Sequence, residues 1–453
     1  MALAVSRSLA FLKLHSLRWQ RRLIFVGGGL AVGLLAVWLA VAADEVQSIF
    51  QMYLARWPYM PLVVTPMGFA LAVLLAVRVF PNTQGSGIPQ AIAARVLEDQ
   101  DARNNLVGLR VAIGKILLTL FGLLVGASTG REGPTVQVGA SVMFLIGRIT
   151  PHRQPGLILA GAAAGVAAAF NAPLAGVVFA IEEMSRSFEA RASGLIIAGV
   201  IFAGLVAQAI LGDYTYFGFT SAALPIGTAW MAVPICGVIG GFSGALFSRI
   251  LVAVPDALPG RTLIRRHPVI FAALCGLGVA LCGVIGGGQI FGTGYEEARA
   301  VLHHTHNVPL DYAPLKLLAT ALSSVAGVPG GIFSPSLSVG AGIGASIARF
   351  FHHAQPGPIV LLGMVAYFTG VVRAPITAFV IVSEMTGDHS MLVALMAAAL
   401  IAEFCARTVN REGVYHMLSK RFLEPERQEV ASESTPNDKP GSGAPLAVQR
   451  TVE

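Results

Sequence analysis

A succession of apolar runs, repeatedly broken by glycine and proline, limits what this chain can fold into more than any other feature. The runs lie near 23–43, 61–79, 106–127, 134–148, 156–182, 193–211, 228–253, 268–288, 314–328, 331–349, 357–372, 374–384 and 391–406. Several fall short of the roughly 20 residues an α-helix needs to span a bilayer. Short, Gly/Pro-interrupted segments are the pattern of transporters whose helices stop inside the membrane. At 55% hydrophobic and 12% charged, with mean hydropathy +0.71, the chain is expected to be an all-α polytopic membrane protein. Its 51 glycines suit close helix packing, because small residues let backbones approach.

The net charge of +7 does not point to nucleic acid, because the basic residues flank the apolar region. Arg7, Lys13, Arg18, Arg21 and Arg22 precede the first span, and Arg407, Arg411, Lys420 and Arg421 follow the last. Both termini are therefore expected on the cytoplasmic side. Ala40-Val41-Ala42 has the form of a signal-peptidase site, but the apolar run before it is too long for a signal segment, so an uncleaved span is expected. Cys236, Cys275, Cys282 and Cys405 lie in apolar segments without C-x-x-C spacing and are expected to be buried thiols. Residues 1–22 read as a basic cytoplasmic segment and 423–453 as a disordered cytoplasmic tail.

The membrane region repeats itself. Pro134-Thr-Val-Gln-Val-Gly139-Ala140 aligns with Pro335-Ser-Leu-Ser-Val-Gly340-Ala341, and Ala172-Pro173-Leu-Ala with Ala374-Pro375-Ile-Thr. The apolar stretches that follow end in Glu183-Met184 and Glu384-Met385, with a one-residue slip. Two homologous halves with broken helices are expected, at 23–225 (including a preceding span) and 226–422. An inverted arrangement is the expectation; it depends on each half's span count, which hydropathy leaves open. Such repeats put the substrate site at their interface, near the bilayer midplane.

Arg131-Glu132-Gly133-Pro134 sits between two apolar runs, where an unpaired charge is expensive and by default functional. Gly130 and Gly133 permit a sharp turn, and Pro134 suits a first helical turn. Glu132 is thus expected at a helix start, where free N–H groups and the positive end of the dipole attract an anion. Gly85-Ser86-Gly87-Ile88-Pro89 and Gly330-Gly331-Ile332-Phe333-Ser334-Pro335 read as two further broken-helix starts. Together with Tyr415, Phe170-Asn171-Ala172-Pro173-Leu174-Ala175-Gly176 and Glu182-Glu183-Met184, these segments closely resemble the CLC chloride channel/transporter family across nearly the whole membrane region.

The resemblance implies an antiporter exchanging chloride for protons, with a passive chloride channel of the same fold as the alternative. It implies that Ser86 and Tyr415 donate hydroxyls to the central anion and that Ile332 and Phe333 offer backbone N–H groups. Glu132 would be the gating glutamate and Glu183 the inner proton-transfer group; family channels usually lack an acid at the latter position. Neutral donors of this kind hold an anion without trapping it. Serine at position 86 implies chloride in preference to nitrate or fluoride. A homodimer in lipid is also implied, with one pathway per subunit and no cofactor, and Gly237–Gly244 is a stretch capable of close packing. The lack of a large cytoplasmic module suggests a prokaryotic plasma (inner) membrane. Gln90 departs from the glutamate that relatives often carry.

Other residues have plainer readings. Glu182 and Glu384 are expected to be structural, and Lys115 a snorkelling or ion-paired lysine. Gly126-Ala-Ser128-Thr-Gly130 and Gly340-Ala-Gly342-Ile-Gly344 imitate hydrolase and dinucleotide motifs but lack the strands those need, so no enzyme is expected. His303, His304 and His306 are read as an incidental loop cluster without metal.

Overall fold

Proline and glycine end the helices where the sequence requires, and they do so twice. In the computed structural model, which describes residues 2–185, 190–212, 215–219, 224, 227–257, 266–303, 309–351, 354–387 and 389–433, regular structure is helical throughout. The first half comprises α1 (Ala2–Arg56), α2 (Pro61–Arg78), α3 (Ile88–Val96), α4 (Gln100–Val107), α5 (Leu109–Leu124), α6 (Glu132–Gly147), α7 (Gln154–Phe170), α8 (Pro173–Phe179) and α9 (Ala190–Leu211). The second comprises α10 (Ala232–Ala257), α11 (Pro268–Ile285), α12 (Tyr295–Leu302), α13 (Tyr312–Val325), α14 (Phe333–Ala348), α15 (Pro356–Val372), α16 (Pro375–Thr386) and α17 (Leu392–Val409). The closing α18 (Val414–Glu433) carries Tyr415 and continues into the segment beyond 423; residues 434–453 lie outside the described residues.

Seven helical segments among the described residues are long and apolar enough to cross a membrane. By contrast, α6 and α14 have 16 residues each, about 24 Å of helix against the roughly 30 Å of a hydrocarbon core. They stop inside the molecule, and their N-termini meet. Gly130 N donates to Gly331 O at 2.7 Å and Gly331 N to Gly130 O at 2.6 Å, an isolated antiparallel bridge that joins the halves at their centre. Large apolar side chains such as Val393, Leu400, Phe404 and Leu205 remain exposed on the outer helices, as a lipid-facing surface requires.

Equivalent helices are packed by equivalent means. In α6 and α7 a Cβ on Gly139 would collide with the Gly161 carbonyl; in α14 and α15 a Cβ on Gly340 would lie 2.7 Å from the Gly363 carbonyl. The glycines of 340–344 are thus packing residues. Both α7 and α15 end on a left-handed residue, Asn171 (φ 50°) and Arg373 (φ 64°). Asparagine tolerates that conformation; Arg373 is held in it by Glu403, at 2.7 and 3.2 Å, and by the Asn410 carbonyl at 2.6 Å.

Three sequence readings need correction. Glu182, not Glu183, is the counterpart of Glu384, so the one-residue slip disappears. Glu182 accepts from Ile376 N (3.1 Å) and Thr377 N (2.6 Å) at the start of α16, while Glu384 accepts from Leu174 N (3.0 Å) and Ala175 N (2.6 Å) at the start of α8. Each half caps a helix of the other, with a carboxylate at the positive end of the dipole. Lys115 neither snorkels nor pairs with an acid: it is fully buried and donates to the Thr83 and Gly85 carbonyls, both at 2.7 Å. Lys316 does the same to Ile290 and Gly292, at 2.8 Å each. Finally, Gly237, Gly240, Gly241 and Gly244 press against Ile401, Ala366, Ala402 and Tyr367 of the same protomer, so the close packing these glycines allow is used within the subunit, while Val238, Ile239 and Phe242 of the same stretch stay exposed.

Candidate functional site

Gly85 (φ 66°) and Gly87 (φ 97°) both adopt left-handed backbone, which only glycine takes without strain, and so expose Ser86 at the start of α3. Lys115 ties this loop from α5. Gln90 is buried and stitches it from within α3, donating to the Gln84 carbonyl at 2.7 Å and the Asn82 carbonyl at 3.3 Å. A Cβ on Gly133 would collide with Ser86 Oγ, so the hydroxyl lies directly against the first turn of α6.

α18 packs along α3 and sets Tyr415 beside Ser86. The Tyr415 ring stacks on Phe333 with centroids 6.1 Å apart and planes 14° from parallel, and Phe333 is further walled by Phe170, Phe179 and Phe368. Both the Ser86 Oγ and the Tyr415 phenol oxygen are buried and lie near each other, and neither has a well-formed hydrogen bond to the protein. An unsatisfied buried hydroxyl costs about 1–3 kcal/mol, so two in one place indicate a polar partner that the protein itself does not provide. Phe333 and Ser334 occupy the first turn of α14, where backbone N–H groups have no acceptor within the helix. Ile332 precedes them as N-cap and is buried. The donor set of hydroxyls and amide N–H groups suits an anion.

Glu132 is the first residue of α6 and is fully buried. It does not pair with its neighbour Arg131, which turns outward to Asp44 and the Ala40 carbonyl of α1. Its Oε1 accepts from Ser334 Oγ at 2.6 Å and from the Tyr216 phenol at 3.5 Å, while Oε2 has no partner. A side chain at Gly130 would collide with Oε2, so the glycine is what lets the carboxylate fold back over the helix start.

Glu183 lies apart from this group. The chain winds into a π-helix at Ala180–Ser185 after α8, and the wider turn carries Glu182 outward to its cap and Glu183 inward. Glu183 is 1% exposed and its Oε1 is 3.2 Å from His416 Nδ1.

The six residues singled out in the sequence are thus all buried; Glu132, Ser86, Ile332, Phe333 and Tyr415 gather at the centre. Sequence reading missed Ser334, Tyr216, His416 and Asp44. Ser334 lay inside a recognised motif and was legible as a potential donor, and His416 stood next to Tyr415; Tyr216 and Asp44 come from segments with no local signal. Ser128 Oγ lies 3.0 Å from Thr320 Oγ1, with no histidine in that contact. His303 Nε2 meets the Phe217 carbonyl at 2.7 Å; His304 and His306 lie outside the described residues.

The sequence matches the family described as voltage gated chloride channel over residues 67–407. Of the curated relatives, the H(+)/Cl(-) exchange transporter ClcA of Yersinia pestis bv. Antiqua is 31% identical over 448 residues, covering 90% of each chain. The protein of the same name from Citrobacter koseri is 31% identical over 435 residues, covering 90% of this chain and 89% of its own. Of the solved structures, a slow cyanobacterial Cl-/H+ antiporter superposes with a TM-score of 0.75 at 28% identity, over 89% of this chain and 98% of its own.

Proposed function

The chain belongs to the voltage gated chloride channel family, and from its central site we propose that it is a secondary active antiporter exchanging chloride for protons. The observation that carries this reading is a buried carboxylate at one helix start, within reach of the opposing helix start and next to two buried hydroxyls that lack a well-formed hydrogen bond to the protein. Ser86, Tyr415 and the N–H groups of Ile332 and Phe333 hold chloride. Glu132, as an anion, competes for the adjoining position at the two helix N-termini. Protonation removes its charge and with it the attraction, and the side chain leaves the path. Chloride and proton therefore favour different positions of one side chain, and that is coupling. Glu183 delivers protons from the inner side.

Neither hydroxyl nor amide carries a fixed positive charge, so the anion is bound without being trapped. Serine at position 86 favours chloride over nitrate and fluoride. The two halves are inverted relative to each other, both termini face the cytoplasm of a bacterial inner membrane, and the protein is a homodimer with a complete pathway in each subunit.

The test is direct. Purified protein in liposomes, given a chloride gradient and no other driving force, should take up protons against their own gradient. Chloride flux without proton movement would overturn exchange and leave a channel.

A further inference from the structure

Glu183 is closed to solvent, and its carboxylate has to exchange protons with something. Its Oε1 lies 3.2 Å from His416 Nδ1, and the two side chains differ sharply in access: 1% exposed for the acid, 17% for the imidazole. His416 follows Tyr415 in the first turn of α18, so one helix start carries both a residue of the proposed anion site and a titratable group facing the buried acid. A π-turn aims Glu183 at this helix, and the corresponding turn of the second half, which stays α-helical, carries Met385 at the equivalent place.

We propose that His416 relays protons between cytoplasmic water and Glu183. The inference rests on the reading of Glu183 as the inner proton-transfer group. Imidazole is the side chain that ordinarily gains and loses a proton near neutral pH. A solvent proton adds to the neutral ring; the Nδ1–H bond then breaks as an Oε1–H bond forms on Glu183. Imidazolium and carboxylate become imidazole and carboxylic acid, the ring keeps its other proton on Nε2, and a ring flip or exchange of that proton with water resets it for the next transfer. The reverse sequence releases protons.

Five charged groups near this pair, Arg95, Glu182, Arg373, Lys420 and Arg421, have partners of their own, and Arg249 of α10 is exposed. Arg95 of α3 donates to the Met184 carbonyl at 3.4 Å and Ser185 Oγ at 3.0 Å, and Glu182 caps α16. Arg373 at the end of α15 holds Glu403. On α18 itself Lys420 pairs with Glu412 at 2.7 Å, and Arg421 donates to the Val252 carbonyl of α10. The Nδ1–Oε1 contact gives Glu183 an imidazole as its partner.

The experiment measures chloride and proton fluxes in liposomes for the full chain and for His416→Asn, His416→Glu and Glu183→Gln, across a range of pH. Asparagine can still donate to Oε1 but does not take up or release a proton. His416→Asn is expected to lower proton flux at least five-fold with chloride flux of the same order, and to flatten the pH profile of proton flux. His416→Glu, which titrates, should recover part of the loss with a shifted profile. Wild-type proton flux in His416→Asn overturns the relay. So does a proportional loss of both fluxes that glutamate does not recover, which makes His416 a packing residue. If Glu183→Gln itself moves protons at the full rate, the reading of Glu183 fails; if it stops protons while His416→Asn does not, only the relay fails.

Discussion

The two helix starts that meet at the centre share a framework and differ in what they present. Gly130 stands opposite Gly331, Pro134 and Pro335 take the same place in their first turns, and Lys115 and Lys316 tie equivalent loops. Yet α6 opens with Glu132 where α14 opens with Phe333: one half carries a carboxylate, the other an aromatic wall and free N–H groups. The Gly-Ser-Gly loop before α3 and the Gly-Thr-Gly loop before α12 diverge in the same manner. Thr293 is satisfied by Gln47, which accepts from its N (3.1 Å) and Oγ1 (3.4 Å), whereas the Ser86 hydroxyl has no well-formed hydrogen bond to the protein. Glu183 faces Met385 across the repeat. Positions that repeat build the scaffold, and the proposed chemistry sits where the repeat is broken.

That division can be broken by mutation. The largest effect is expected at Glu132: Glu132→Ala should abolish proton movement in liposomes while chloride flux persists, whereas Phe333→Ala should keep proton coupling. Coupled exchange surviving in Glu132→Ala would place the gate elsewhere. Next, Glu183→Gln should lower proton flux at least ten-fold with chloride flux remaining, while Met385→Leu leaves coupling intact; a pH electrode and a chloride electrode read both fluxes together.

Ser86→Ala removes the proposed hydrogen bond to chloride; a bond to an ion is worth about 1.5–3 kcal/mol, so chloride binding should weaken by roughly ten-fold or more in calorimetric titration. Thr293→Ala should leave chloride affinity unchanged, because its hydroxyl already has a protein acceptor. Equal losses would mean the two loops are functionally alike. The scaffold should respond symmetrically instead: Glu182→Ala and Glu384→Ala each remove a helix cap, worth about 0.5–2 kcal/mol, and should lower Tm in detergent by similar amounts. The smallest effect is expected for Tyr216→Phe, which loses two long hydrogen bonds, to Glu132 and Ser334, and should raise chloride turnover less than three-fold without altering the coupling ratio.

The sequence by itself determined the chain's class, the existence of two halves and the principal helix starts, because these are written in local terms. Apolar runs report a bilayer, Gly/Pro segments report broken-helix starts, and Pro134 and Pro335 mark first helical turns. Five residues of the proposed site lay in or beside such motifs. Tertiary structure alone decided the partnerships, because a hydrogen bond or an ion pair depends on where distant segments land. It gave Arg131 to Asp44, turned Lys115 onto carbonyls, and brought Tyr216 and His416 to the two acids. It also fixed the register of the repeat: a π-turn sends two adjacent glutamates in different directions, one to cap the other half and one toward α18. No local pattern announces that turn, because its hydrogen bonds and its neighbours are settled only when the halves pack.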